Sequence, residues 1–152
     1  MNATTRLDRS HEAHLHRAFT LGEQAAAKGN RPFGAVILSR DGVVLAEAEN
    51  STVTDDDIAS HAEINAIRSI CRAHGQDRLI GATAFTNYPP CPMCAGAMMR
   101  YGFARIVYGA TWKAMQGVVS QQSAAFEADL EKMTSHAALP LQVLGPCLQE
   151  GT

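Results

Sequence analysis

The feature that most restricts the fold is an alternation of short apolar runs with helix-like segments from residue 82 onwards. The runs "ATAFTN", "RIVYGA" and "LPLQVLG" are typical of strands, and the segments "AGAMMRY" and 121–135 between them are typical of helices. A crossover through a helix makes the two strands that it joins parallel. The second half of the chain therefore predicts three parallel strands packed against helices.

Two further helices are predicted in the first half of the chain. Residues 10–28 form the first, with Ser10 as its N-cap and Gly29 as its C-terminal stop. The second runs from about residue 61 to 74, where Gly75 ends it. The apolar positions that support them are Leu15, Ala18, Phe19, Gly22, Ala25 and Ala26 in the first, and Ile64, Ile67, Ile70 and Cys71 in the second.

Between these helices, the runs "PFGAVILS" and "VVLAEAEN" are separated only by "RDG". An Asp-Gly turn between two such runs predicts a β-hairpin, so the first two strands are expected to be antiparallel. Taken together, the elements predict an α/β fold, a three-layer α/β/α sandwich around a mixed five-stranded sheet. Its first hairpin is antiparallel and its strands 3 to 5 are parallel.

The length of 152 residues suits one domain spanning residues 1–152. No window is long and apolar enough to span a bilayer, and the polar start "MNATTRLDRSHEAHLHRAF" lacks the apolar core of a secretory signal. A cytoplasmic protein is therefore expected. The 13 Lys and Arg against 15 Asp and Glu give a net charge of −2, which disfavours a large nucleic-acid partner.

Three residues carry the chemistry of a metal site. His61, Cys91 and Cys94 offer one imidazole and two thiolates, a donor set that suits tetrahedral Zn²⁺. Three protein ligands leave the fourth position to water, as in catalytic zinc sites. The other two cysteines, Cys71 and Cys147, have no ligand spacing to this motif. A thioredoxin-like redox pair is the alternative for the Cys-x-x-Cys, but the chain also offers a His-x-Glu.

Glu63 is expected to act beside the metal and not as a ligand. Two residues apart on a helix means about 200° in azimuth, which makes His61 and Glu63 awkward as adjacent ligands. A carboxylate near a zinc-activated water can transfer protons, contributing about 10²- to 10⁴-fold in rate. The alternative for Glu63 is a purely structural role, as an acidic residue in the first turn that complements the helix dipole.

The motifs "HAE" (61–63) and "PCPMC" (90–94) match the H-x-E and P-C-x-x-C signature of zinc deaminases. From about residue 32 to 109 the chain resembles the cytidine and deoxycytidylate deaminase superfamily, and it looks most similar to the bacterial guanine deaminases. The resemblance implies a cytidine deaminase-like fold with one zinc ion per chain, bound by His61, Cys91 and Cys94. It also implies that Glu63 is the catalytic proton carrier.

The resemblance further implies the residues that bind substrate. Asn50 would hydrogen-bond to the substrate ring, and the Ala62 backbone N–H would point at a substrate oxygen. Phe33 would line the pocket, and Trp112 could stack on a base; for both residues, simple packing is the alternative. Pro89 stands where related guanine and transfer-RNA deaminases usually have Glu. If that position acts through its backbone carbonyl, proline can still hold the departing amine; if it acts through a side chain, the role is lost.

The substrate implied is a small aminated heterocycle, a free nucleobase or nucleoside of the guanine type, whose amino group is replaced by a carbonyl with release of ammonia. Cytosine deaminase and transfer-RNA adenosine deaminase are the enzyme alternatives. A zinc-stabilised binding module without activity is the alternative from another class. The resemblance also implies a homodimer.

Overall fold

The computed structural model describes residues 9–111 and 130–148. Helix α1 spans Arg9–Ala27 and buries Leu15, Ala18, Leu21, Gly22 and Ala25. The predicted N-cap at Ser10 is wrong, because Arg9 is already helical and Ser10 lies inside α1. The predicted stop is confirmed, since Gly29 follows the helix with φ of 91°, in the left-handed region that glycine adopts without strain.

The sheet has five strands in the order β2-β1-β3-β4-β5. Strand β1 pairs antiparallel with both β2 and β3, whereas β3, β4 and β5 are mutually parallel. The predicted mixed sheet is therefore confirmed. The strands are β1 Gly34–Leu38, β2 Val44–Glu49, β3 Thr83–Thr86, β4 Arg105–Tyr108 and β5 Gln142–Leu144.

Helix α2 spans Ala62–Ala73, close to its predicted bounds, and a 3₁₀ turn at Gln76–Leu79 leads from it to β3. Its buried face consists of Ala62, Glu63, Ala66, Ile67 and Ile70. Cys71, which the sequence pattern assigns to the apolar stripe, is exposed instead. The buried face of α2 runs through Ala66 and Ile70, one residue before the predicted positions Ile67 and Cys71. The helix is therefore rotated about its axis relative to the prediction, and Glu63 lies on its buried face.

Helix α3 spans Pro92–Arg100, so it begins three residues before the predicted "AGAMMRY". Proline suits the first helical position, because no intrahelical partner is needed there for its missing N–H. Helix α4 spans Leu130–Thr134, within the predicted segment 121–135; the rest of that segment lies outside the described residues. No helix in the described ranges combines the length and apolar character needed to cross a bilayer.

The strands alternate their side chains between two cores, one on each side of the sheet. Val36, Phe85 and Val107 face α1 and pack with Leu15 and Leu21. Their neighbours along the same strands face the opposite side, in a core shared with α2 and α3 that includes Ile37, Ala84, Ile106, Ile70 and Met98. This period-two alternation gives the three-layer sandwich that the sequence predicts. Because α2 and α3 pack in the same core, they lie side by side on one face of the sheet.

Candidate metal centre and pocket

His61 and Cys91 occupy equivalent positions in the fold. His61 is the N-cap of α2 and Cys91 is the N-cap of α3, both with extended backbone and neither with a side-chain cap hydrogen bond. Cys94 follows in the first turn of α3. Unpaired N–H groups and the helix dipole favour negative charge at such ends. Two adjacent helix N-termini therefore stabilise the thiolates that a metal would bind.

The three side chains converge on one point. The Sγ atoms of Cys91 and Cys94 each lie 3.5 Å from Nδ1 of His61, and the three ligand atoms all lie within 4.8 Å of one another. A tetrahedral zinc ion, with bonds of about 2.3 Å to sulfur and 2.0 Å to nitrogen, would separate these atoms by about 3.5 Å. The donor chemistry and the spacing both fit zinc.

No fourth His, Cys, Asp or Glu joins this cluster among residues 9–111 and 130–148. Cys71 is exposed on α2, and Cys147 lies on the α1 side of the sheet, beside the core there. Neither cysteine belongs to the metal cluster in the described part of the chain. The three-ligand arrangement is the kind that leaves a coordination position for water.

The three side chains lie within hydrogen-bonding distance and shift one another's pKa values. A hydrogen bond from Cys94 lowers the pKa of Cys91 to about 4. The same bond raises the pKa of Cys94, and the hydrogen bond with Cys91 raises the pKa of His61. Because a metal binds the deprotonated groups, its binding would release protons from these side chains.

Glu63 lies on the second residue of α2, is only 6% exposed, and lines the same cavity as His61 and Cys91. Burial raises the pKa of its carboxyl group, an effect that a hydrogen bond with Cys94 opposes. The 200° separation expected for His61 and Glu63 does not keep them apart. His61 is a cap with extended backbone, so the helical rotation starts only at Ala62.

The cavity in front of the metal cluster has a volume of about 410 Å³, within the usual range for small-molecule sites. Its wall is largely apolar and aromatic. Tyr88 stands edge-on to Phe33, with ring centroids 6.1 Å apart, and edge-on to Phe19 at 5.5 Å. The lining residues are Arg31, Phe33, Ile58, His61, Glu63, Asn87, Tyr88, Pro89, Cys91, Pro92 and Met93.

The other predicted substrate residues lie in different positions. Phe33 and Pro89 line the cavity, whereas Asn50 and Ala62 are buried, 1% and 0% exposed, and do not belong to its lining. The Asn50 Oδ1 accepts hydrogen bonds from the backbone N–H and the hydroxyl of Thr52, and its Nδ2 has no hydrogen-bond partner among the described residues. Trp112 lies outside the described residues.

Sequence reasoning missed six lining residues: Arg31, Ile58, Asn87, Tyr88, Pro92 and Met93. A signal existed for two of them. Asn87 and Tyr88 directly follow β3, whose carboxyl end lies where the sheet changes from antiparallel to parallel pairing. Ligands of open α/β sheets commonly bind at such an edge. Ile58 and Arg31 come from loops, and only the folded chain brings them to the cavity.

Residues 8–110 match the family model of the cytidine and deoxycytidylate deaminase zinc-binding region. Guanine deaminase of Bacillus subtilis (strain 168) is 42% identical over 90 residues, covering 59% of this chain and 57% of that protein. The tRNA-specific adenosine deaminase of the same organism is 37% identical over 99 residues, covering 65% of this chain and 61% of that protein. The chain thus spans less than two thirds of these two relatives.

A probable cytosine deaminase of Schizosaccharomyces pombe is 27% identical over 150 residues, covering 97% of this chain and 91% of that protein. Among solved structures, one from work on A-to-I editing by tRNA:A34 deaminases has a TM-score of 0.70 at 31% identity, covering 88% of this chain and 98% of that one. The X-ray structure of the Bacillus subtilis guanine deaminase has a TM-score of 0.66 at 33% identity, covering 83% and 76%.

The fold and the His61, Cys91 and Cys94 cluster define an α/β domain that can hold a transition metal between two helix N-termini. The matched region makes the assignment specific. The chain belongs to the cytidine and deoxycytidylate deaminase zinc-binding family, and zinc is its cofactor.

Proposed function

We propose that this protein is a zinc-dependent hydrolytic deaminase of a small aminated heterocycle, working as a single domain. One observation carries the proposal: a nearly buried carboxyl group, Glu63, lines the same apolar cavity as the metal cluster. A purely structural zinc site would need neither the carboxyl group nor the cavity. The alternative that Glu63 is only a solvated charge in the first turn of α2 does not suit a side chain that is 6% exposed.

In this proposal His61, Cys91 and Cys94 hold the zinc ion, which when bound supplies Lewis-acid activation of water at neutral pH. Glu63 accepts a proton from the attacking water and delivers it to the ring nitrogen beside the amino-bearing carbon. It then transfers the second proton of the water to the amino group, which leaves as ammonia while the ring carbon becomes a carbonyl. The raised pKa of the Glu63 carboxyl suits a group that must both accept and donate protons.

The surroundings of the cluster offer the contacts that a planar ring needs. The face of the substrate ring would pack against Phe33 and Tyr88. The Nδ2 of Asn50 would donate a hydrogen bond to the substrate ring. Ala62 is the first residue of α2, where the helix supplies no acceptor for its N–H; that N–H would bind a substrate oxygen. The backbone carbonyl of Pro89 would accept a hydrogen bond from the departing amine.

A guanine-type aminopurine is the substrate we favour, supported by the 42% identity to guanine deaminase of Bacillus subtilis over 90 residues. Transfer-RNA adenosine is the second candidate, favoured by the 31% identical structure that this chain covers to 98%. Against it stands the net charge of −2, which offers little attraction for phosphates. Ammonia release measured across guanine, cytosine, adenine, their nucleosides and a transfer-RNA anticodon stem-loop tests the choice. Release from guanine alone supports the first candidate.

Glu63→Ala tests whether the protein is an enzyme or a zinc-stabilised binding module. We expect turnover to fall at least about 100-fold because the proton carrier is lost, while zinc content and folding persist. Glu23→Ala, at an exposed carboxylate on α1, is the matched control and should keep full activity. Undiminished ammonia release by Glu63→Ala would contradict the proposed role.

We also propose a homodimer. Ile58 is 91% exposed and Met93 is 42% exposed, both beside the cavity, and exposed apolar side chains at one place commonly mark an interface. Light scattering coupled to gel filtration measures the mass directly. A monomer at micromolar concentration would contradict this part of the proposal.

A further inference from the structure

The side chain of Asn87 forms a buried clamp around Phe33. Asn87 is 2% exposed. Its Nδ2 donates to the backbone oxygen of Pro32 at 2.8 Å, and its Oδ1 accepts from the backbone N–H of Gly34 at 3.1 Å. These two peptide groups lie on either side of Phe33, so one amide fixes the backbone from which the Phe33 ring projects.

The backbone of Asn87 extends the same connection. Its N–H donates to the Gly34 oxygen at 3.4 Å, and its own oxygen accepts from Ala110 at 2.9 Å, just beyond β4. The chain then runs four residues from Asn87 to Cys91. Asn87 therefore links the loop that carries Phe33 to the loop that carries a metal ligand.

Helix α1 closes over this clamp at Gly22. A Cβ atom at Gly22 would lie 2.6 Å from the Pro32 oxygen and 2.7 Å from the Asn87 Nδ2. Both distances are far shorter than a normal contact, so any larger residue at position 22 would push the clamp aside.

We propose that Asn87 is a positioning residue for substrate recognition, acting through Phe33. By fixing the Pro32 and Gly34 peptides, it holds the Phe33 ring edge-on to Tyr88, at 6.1 Å and 83°, as one rigid wall for a planar aminated ring. The inference rests on the proposed function, and it assigns to Asn87 an effect on substrate affinity and not on proton transfer.

Asn87→Ala tests the proposal by steady-state kinetics of the zinc-loaded protein on the aminated ring that it deaminates fastest. We expect KM to rise about tenfold or more, since small displacements of positioning groups are costly, while kcat changes by less than about threefold and zinc content is unchanged. The matched control is Asn30→Ala. Like Asn87, Asn30 is a buried asparagine, 7% exposed, whose Oδ1 accepts hydrogen bonds from the backbone. Its donors are the N–H groups of Val53 and Thr54, and none of these three residues lines the cavity. Asn30→Ala should keep the wild-type KM.

Gly22→Ala provides a second test that leaves the cavity lining untouched, and it decides the matter if Asn87→Ala does not fold. The added methyl group meets Pro32 and Asn87, so we expect the same rise in KM with little change in kcat. A fall in kcat with unchanged KM in Gly22→Ala, or equal KM in Asn87→Ala and Asn30→Ala, overturns the positioning role.

Hydrogen exchange of the Gly34 amide, followed by NMR, separates this inference from the proposed function. Loss of the Asn87 acceptor should speed that exchange at least about tenfold, and Asn30→Ala should not. If the wild-type protein deaminates no ring but the exchange of Gly34 accelerates in Asn87→Ala, the proposed function fails and the clamp stands. If the wild-type protein is active and Asn87→Ala keeps both its KM and the Gly34 protection, the clamp fails and the function stands.

Discussion

The Sγ of Cys91 lies 3.5 Å from Nδ1 of His61, and both residues are the N-caps of their helices. The two residues are thirty positions apart in the chain. They meet because α2 and α3 pack side by side on one face of the sheet and begin at the same edge. A cap residue has extended backbone and projects beyond the helix end, which lets both side chains reach a common point.

Cys94→Ser should abolish stable zinc binding, because it replaces a thiolate by a poor zinc ligand in a site with three protein ligands. Affinity should fall by at least about 100-fold, since even partners that only hydrogen-bond to a ligand change affinity by about 10- to 100-fold. Metal content measured by atomic absorption checks this. A chelator should lower the Tm of the wild-type protein and leave that of Cys94→Ser unchanged, because zinc that binds only the folded state stabilises it.

The control for this prediction is Cys71→Ser, because Cys71 is an exposed thiol on α2. It should keep one zinc ion per chain and the wild-type response to chelator. Equal zinc content in Cys94→Ser and Cys71→Ser would contradict the assignment of Cys94.

Asn50→Ala should lower both stability and kcat/KM. Stability falls by about 1–2 kcal/mol because two hydrogen bonds from Thr52 are lost, and kcat/KM falls about tenfold because the Nδ2 donor is lost as well. Urea unfolding and steady-state kinetics measure the two effects.

Thr52→Val separates these effects, since it removes only the hydroxyl bond to Asn50 Oδ1. It should cost about 1 kcal/mol of stability and leave kcat/KM unchanged. If Asn50→Ala loses no more kcat/KM than Thr52→Val, Asn50 has only a structural role.

Gly34→Ala and Gly96→Ala should change stability in opposite directions. A Cβ at Gly34 would lie 2.1 Å from the Ala18 backbone oxygen and 2.7 Å from the Leu21 Cβ, so α1 must move away from β1. We expect a loss of about 3 kcal/mol from this overpacking.

At Gly96, inside α3, the closest atom to an added Cβ is the Met133 Cε at 3.6 Å, an ordinary contact. Alanine is the better helix former there, so stability should rise by about 0.5–1 kcal/mol. Thermal and urea unfolding of the two variants check both signs. A stable Gly34→Ala would show that α1 does not pack as closely on β1 as described.

The chain sequence by itself determined the order of helices and strands, the mixed sheet and the three metal-binding side chains. These follow from local patterns: the Asp41-Gly42 turn makes β1 and β2 antiparallel, and a helix between strands makes β3, β4 and β5 parallel. Metal-binding side chains that lie close together in the sequence, such as Cys91 and Cys94, can also be recognised without knowledge of the fold.

Only the tertiary structure decided which face of α2 is buried and which loops surround the cavity. The sequence pattern placed Cys71 inside, but the packing of α2 on the sheet turned Cys71 out and Glu63 in. The hydrogen bonds of Asn87 to Pro32 and Gly34 join residues more than fifty positions apart. Contacts of this kind depend on how separate elements pack in three dimensions, and no periodicity along the chain records them.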